Sequence, residues 1–142
     1  AEGRKVEKGL IEAQRNLLSY SAQHQGVYET LRQILAEDDF TEDVFRRAFH
    51  HIGELWSSSG HVFPADLVSR FEETKEQKMA TEIFAVQLPT ENGADMEKAI
   101  NEQVRLLKRT KIDHLTATAT TVEEIQEMVE ARRKLDSLYI TI

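Results

Sequence analysis

The chain contains no cysteine. That excludes a disulfide scaffold, a cysteine-ligated zinc site, an iron–sulfur cluster and a thiol nucleophile within these 142 residues, and it favours a reducing, cytoplasmic setting. Two prolines and six glycines are too few for the turns of a many-stranded sandwich or barrel. No run of about 20 apolar residues occurs, so no membrane span is expected. The opening Ala1-Glu2-Gly3-Arg4-Lys5 lacks a methionine and is followed by no apolar signal core. It reads as the edge of an excised piece rather than a targeting sequence. An excess of positive charge is also missing. Up to residue 95 there are 10 Lys and Arg against 17 Asp and Glu, and beyond it 8 of each. Proteins that hold nucleic acid by its phosphates need a basic face, so direct nucleic-acid binding is not expected. The group Arg105, Lys108, Arg109 and Lys111 reads as a solvated helix face.

What is present is helical periodicity, over a length that suits about one domain of ~150 residues. Val6, Leu10, Ala13 and Leu17 predict a first amphipathic helix of about four turns. Val27, Leu31, Ile34 and Leu35 predict a second, ended by Glu37-Asp38-Asp39. Thr41 suits the N-cap of a third, whose core face carries Phe45, Phe49, Ile52, Leu55 and Trp56. Ser57-Ser58-Ser59-Gly60 stops that helix, and Pro64 suits the start of the next, with Leu67, Val68 and Phe71 facing a core. A further helix is expected from Lys75 to Leu88, and Pro89-Thr90-Glu91-Asn92-Gly93 breaks the chain. In the long helix that follows, Met96, Ala99, Ile100, Val104 and Leu107 form one stripe, whereas Ile112 and Leu115 form another. The five residues from Leu107 to Ile112 turn the helix by ~140° beyond a full circle. Its second half should therefore face a different partner and project past the bundle. Thr121-Val122-Glu123-Glu124 fits a capping box after a threonine-rich break. The expectation is an all-α fold: a multi-helix bundle over 1–95, then a long helix and a C-terminal antiparallel helical hairpin over 96–142.

The last helix carries more apolar surface than one neighbour covers. With Ile125 at zero on a helical wheel, Val122 and Val129 lie within about 60° on one side, and Met128, Leu135 and Tyr139 within about 80° on the other. Leu138 lies farther out, and Leu138-Tyr139-Ile140-Thr141-Ile142 ends the chain. This surface must either fold back on the bundle or dock on another protein.

Catalytic constellations are lacking. His50 and His51 are adjacent and point to different sides of a helix, unlike an i, i+4 metal pair. Ser57-Ser58-Ser59-Gly60-His61 lacks the strand–elbow–helix setting of a hydrolase serine. Glu72-Glu73-Glu76 and Glu123-Glu124-Glu127 read as solvated faces, and no glycine-rich phosphate cradle occurs. No catalytic, cofactor-binding or metal-ligating residue is assigned.

Several segments carry a resemblance. They are Glu12-Ala13-Gln14-Arg15-Asn16-Leu17-Leu18, the stretch Val27 to Leu35, and Phe40 followed by Val44-Phe45-Arg46-Arg47-Ala48-Phe49-His50-His51-Ile52. To these belong Gly60-His61-Val62-Phe63-Pro64-Ala65-Asp66-Leu67-Val68-Ser69-Arg70-Phe71 and the closing Glu127-Met128-Val129-Glu130-Ala131-Arg132-Arg133-Lys134-Leu135. In their order and spacing, over nearly the whole chain, the sequence resembles the C-terminal helicase-binding domain of bacterial DNA primase. The resemblance implies a helical bundle followed by a hairpin that docks on the N-terminal domains of the hexameric replicative helicase, with the bundle modulating helicase activity. It also implies that primer synthesis, with its zinc and magnesium, belongs to other domains of the parent enzyme, a DNA-directed RNA polymerase, and that no cofactor is needed here. The hairpin connection is shorter than in the family pattern. By position, the helicase interface would comprise Ile112, Leu115, Val122, Ile125, Met128, Val129, Arg132, Arg133, Leu135, Leu138, Tyr139 and Ile140. Apolar members would anchor, the two arginines would form the rim, and some of Val122, Ile125 and Val129 would pack inside the hairpin. Two alternatives are the N-terminal collar domain of the helicase itself, and a small helical enzyme or metal-dependent regulator using His50, His51 and His61.

Overall fold

The computed structural model describes the backbone of residues 2–86 and 93–142, and side chains within those ranges from residue 9 onward. Among the described residues the regular structure is entirely helical. It comprises α1 (Glu2–Gln23), α2 (Gln25–Leu31), a 3-10 turn (Glu37–Asp39), α3 (Asp43–Ser59), α4 (Pro64–Val68), α5 (Thr74–Ala85), α6 (Gly93–Thr118) and α7 (Val122–Ser137). Leu88 and the breaker segment Pro89 to Asn92 lie outside the described residues, as does the side chain of Val6.

α1 is longer than its apolar spacing predicts, and it is the central element. Leu10, Ala13, Leu17, Leu18 and Tyr20 are buried together with the polar Gln14, Ser19 and Ser21. A helix buried on most of its circumference has no single stripe to read, and α1 packs against α2, α3, α5 and α6. The polar side chains are satisfied locally: the Ser21 hydroxyl donates to the Leu17 carbonyl at 2.8 Å, and Gln14 crosses to the start of α3.

That crossing corrects the expected cap. The N-cap of α3 is Glu42, which makes no side-chain cap bond. Thr41 is engaged elsewhere: its N–H donates to Gln14 Oε1 at 2.8 Å, and Gln14 Nε2 donates to its hydroxyl at 2.9 Å. A fully buried amide needs partners at both ends, and this requirement takes Thr41 away from capping. α3 ends at Gly60, whose φ of 74° is the left-handed closure that favours glycine. Pro64 opens α4 at the first helical position.

α6 lies against α1, with Ile100, Val104 and Leu107 in the main core. Its second stripe turns as the spacing requires, and Ile112 is buried outside that core. α7 runs antiparallel beside α6. Asp113 meets Arg132, Arg105 reaches the Leu135 and Leu138 carbonyls, and Asn101 meets Ile140, so the α7 partner advances as the α6 position recedes. At the turn the Thr121 hydroxyl accepts from the Glu124 N–H at 3.1 Å. The return bond of the box goes to Thr120 N–H rather than Thr121, at 3.3 Å. No helix among the described residues is long and apolar enough to cross a membrane.

A candidate interaction surface on the C-terminal hairpin

The twelve positions assigned from sequence to one surface separate into an inner and an outer set. Ile112, Leu135 and Ile140 are 7%, 8% and 2% exposed. They are corrected from surface to interior. Ile112 and Leu135 face the same space between α6 and α7. Ile140 joins the main core because the tail after α7 folds back on α6. Met128 and Leu138 are half-buried. Val122, Ile125 and Val129 stand 66%, 53% and 63% exposed. None of these three packs inside the hairpin, contrary to the expectation. α6 takes the other flank of α7, where Met128, Ala131 and Leu135 lie. Leu115, Tyr139 and Ile142 are also exposed.

Polar side chains that the apolar pattern did not single out hold the tail. Asn101, buried on α6, accepts from the Ile140 N–H at 2.7 Å and donates to its carbonyl at 2.9 Å. Arg105 donates to the Leu135 carbonyl at 3.2 Å and to that of Leu138. The Glu97 carboxylate beside Tyr139 holds its phenol above the usual tyrosine range. Backbone groups buried outside helix and strand need partners from side chains or water, and that rule is the one signal that could have pointed to such residues.

The basic group on α6 is likewise committed. Lys108 donates to Asp39 Oδ2 at 2.8 Å, and Lys111 lies 3.0 Å from Asp38 and 3.6 Å from the other Asp39 oxygen. Asp39 is buried, and its Oδ2 also accepts from the Ala36 N–H at 2.9 Å. The acidic run expected only to end α2 thus fastens α6 to the 3-10 turn, while Arg109 stays exposed. The rim arginines pair within the hairpin, Arg132 with Asp113 at 2.7 Å and Arg133 with Glu130 at 2.8 Å. Both remain exposed.

The residues weighed for chemistry have structural partners. His50 and His51 do not diverge as expected: His50 Nε2 and His51 Nδ1 each lie 3.2 Å from the same Glu54 oxygen, which Arg70 also approaches at 3.2 Å. These contacts, chiefly the His51 hydrogen bond, pull the Glu54 carboxyl below its usual range. His61 stacks on Phe63 with centroids 4.1 Å apart. Among the described residues no group of three or more metal-ligating side chains is arranged to hold an ion. The Ser59 hydroxyl donates to the Leu55 and His61 carbonyls, closing the end of α3. Glu76, read as part of a solvated face, instead binds Arg47, whose guanidinium lies 4.9 Å over the Phe71 ring.

Comparison of the chain with models of known protein families, with curated proteins and with solved structures finds no significant match.

Proposed function

We propose that this chain is a protein-interaction domain of the kind found at the C-terminus of bacterial DNA primase. In this reading it binds the N-terminal domains of the hexameric replicative helicase, recruits primase to the replication fork and modulates helicase activity during primer synthesis. The catalytic metals and primer chemistry belong to other domains of the parent enzyme. The observation that supports the reading is the stripe Val122, Ile125 and Val129, exposed at i, i+3 and i+7 along α7. Isolated exposed apolar residues are ordinary. Three on one line, beside a neighbouring helix that leaves them uncovered, follow the anchor pattern of a helix that docks on other helices. Arg132 and Arg133 continue along the same side and supply a charged rim.

The test mixes the purified chain with the hexameric helicase and follows co-elution by size exclusion. The chain is expected to move to the position of the larger species. Ile125→Glu and Val129→Glu, both at exposed positions, are expected to weaken binding by about tenfold or more while leaving the circular dichroism spectrum unchanged. Full binding by the double variant would remove the stripe from the interface, and absence of a shift in the wild-type chain would remove the helicase. Deleting the hairpin is the poorer experiment, since Ile140 belongs to the core.

A further inference from the structure

The tail that follows α7 lies on α6 as an extended peptide lies on a receptor. Three α6 side chains at four-residue steps, Glu97, Asn101 and Arg105, meet it. They span ~12 Å of helix, the length of about four extended residues. Asn101 accepts from the Ile140 N–H at 2.7 Å and donates to the Ile140 carbonyl at 2.9 Å. Arg105 donates to the carbonyls of Leu135, at 3.2 Å, and Leu138. The Glu97 carboxylate stands beside the Tyr139 phenol. Burial alternates along the tail as it does along a strand: Ile140 enters the main core, whereas Tyr139 and Thr141 on either side of it are exposed.

Recognition of an extended peptide divides between main-chain hydrogen bonds, which hold any sequence, and pockets for alternate side chains, which select one. Both parts are present. Asn101 is buried, and its carboxamide offers a donor and an acceptor together, the pair that the backbone of one extended residue needs. A further bond from its Nδ2 to the Glu97 carbonyl at 2.8 Å fixes the amide in that orientation. The slot beside it takes a branched aliphatic side chain, that of Ile140. The occupant is itself neither helix nor strand, and three of its five residues, Tyr139, Thr141 and Ile142, are exposed, so it can lift away by a local opening that leaves the bundle folded. We infer that the Glu97–Asn101–Arg105 face of α6 is a binding site for an extended peptide segment with a branched aliphatic anchor, filled in cis by residues 138–142, and that such a segment of a partner protein takes the tail's place. This goes beyond the helicase reading and does not rest on it, because the site is on α6 and the Val122–Val129 stripe is on α7.

The test uses the full chain and a capped peptide that repeats Ser137 to Ile142. In the unaltered chain, native-state hydrogen exchange at the Ile140 amide is expected to be at least about tenfold faster than at Ile100, Val104 and Leu107 once intrinsic rates are removed. Ile140→Ala withdraws the anchor of the resident tail. The peptide should bind this variant at least about tenfold tighter than the wild type, whose own tail competes at high effective concentration. Binding is followed by fluorescence anisotropy and by the side-chain amide resonances of Asn101. A peptide carrying Ile140→Asp should not bind, and adding Asn101→Ala to the Ile140→Ala chain should abolish binding. Ile125→Glu should leave peptide binding unchanged, so that this inference and the helicase reading fail separately. Four outcomes overturn the inference: Ile140 exchange as slow as that of the core amides, no binding or equal binding of the two peptides, binding that survives the loss of Asn101, or concentration-dependent Asn101 shifts without peptide, which would assign the slot to the tail of a second copy. The exchange measurement needs no variant and decides the matter if Ile140→Ala fails to fold.

Discussion

Asn101 illustrates how one polar side chain decides the course of a chain end. The segment after Ser137 is neither helix nor strand, so its backbone groups need partners supplied from outside it. Asn101 provides both a donor and an acceptor to Ile140, and that exchange lets the isoleucine enter the core at 2% exposure. Asn101→Ala would leave a buried N–H and a buried carbonyl unpaired. The expected loss is about 2–3 kcal/mol, read from urea denaturation, with the methyl resonance of Ile140 moving toward solvent values. A loss below about 0.5 kcal/mol would show that the tail is held by apolar contact alone. Tyr20 presents the opposite case: it is fully buried, its hydroxyl has no hydrogen-bond partner among the described residues, and burial raises its pKa.

Between elements, packing is specified by close approach as much as by apolar stripes. α2 and α3 meet where Tyr28 lies over Gly53, and its phenol occupies the space a Cβ would need. The same ring packs against Phe49 with centroids 5.2 Å apart, and Phe49 packs against Phe40 at the same distance. Gly53→Ala is therefore expected to destabilise by roughly 1–2 kcal/mol through overpacking. In a double-mutant cycle with Tyr28→Ala the costs should fall well short of additive, and additive costs would place the strain elsewhere. α7 shows the complementary situation. Its wide apolar arc is legible in the sequence, and α6 covers only the flank through Ala131 and Leu135. The remaining flank is the candidate surface. Periodicity cannot separate the two, because a wheel records how much apolar arc a helix has and not which side its neighbour takes.

For the whole molecule, α6 is secured to the bundle at two levels: by Ile100, Val104 and Leu107 against the core, and by Lys108 and Lys111 on Asp38 and Asp39. The second level depends on pH. The Lys111 hydrogen bond holds the Asp38 carboxyl below the usual carboxylate range. Burial pushes Lys111 down, but Asp38 and Asp39 together outweigh it and leave its pKa above the ordinary lysine value. For Asp38 the stabilisation is complete above the ordinary carboxylate pKa and disappears as pH falls through the lower folded value; for Lys111 it is complete below the ordinary lysine pKa and disappears as pH rises through the higher folded value. Stability should thus be flat with respect to this pair around neutral pH and fall at both extremes. Asp38→Asn should remove part of the acid-side slope while costing less than about 1 kcal/mol at pH 7, since Asp38 is largely exposed. An unchanged acid limb in urea titrations would show that the pair does not contribute.

The sequence by itself determined that the chain is all-α, and it placed most helices: Pro64 at the start of α4, Gly60 at the end of α3, the change of face along α6 and Thr121 at the head of α7. These are local matters of dihedral preference, capping and period, and neighbouring residues are enough to set them. Tertiary structure decided the rest. It drew Thr41 from its expected cap to Gln14, turned the acidic run 37–39 into an anchor for α6, and took Ile112, Leu135 and Ile140 out of the predicted interface while leaving Val122, Ile125 and Val129 exposed. Each outcome depends on two groups distant in sequence arriving at hydrogen-bond or van der Waals range, and only the folded chain brings them there.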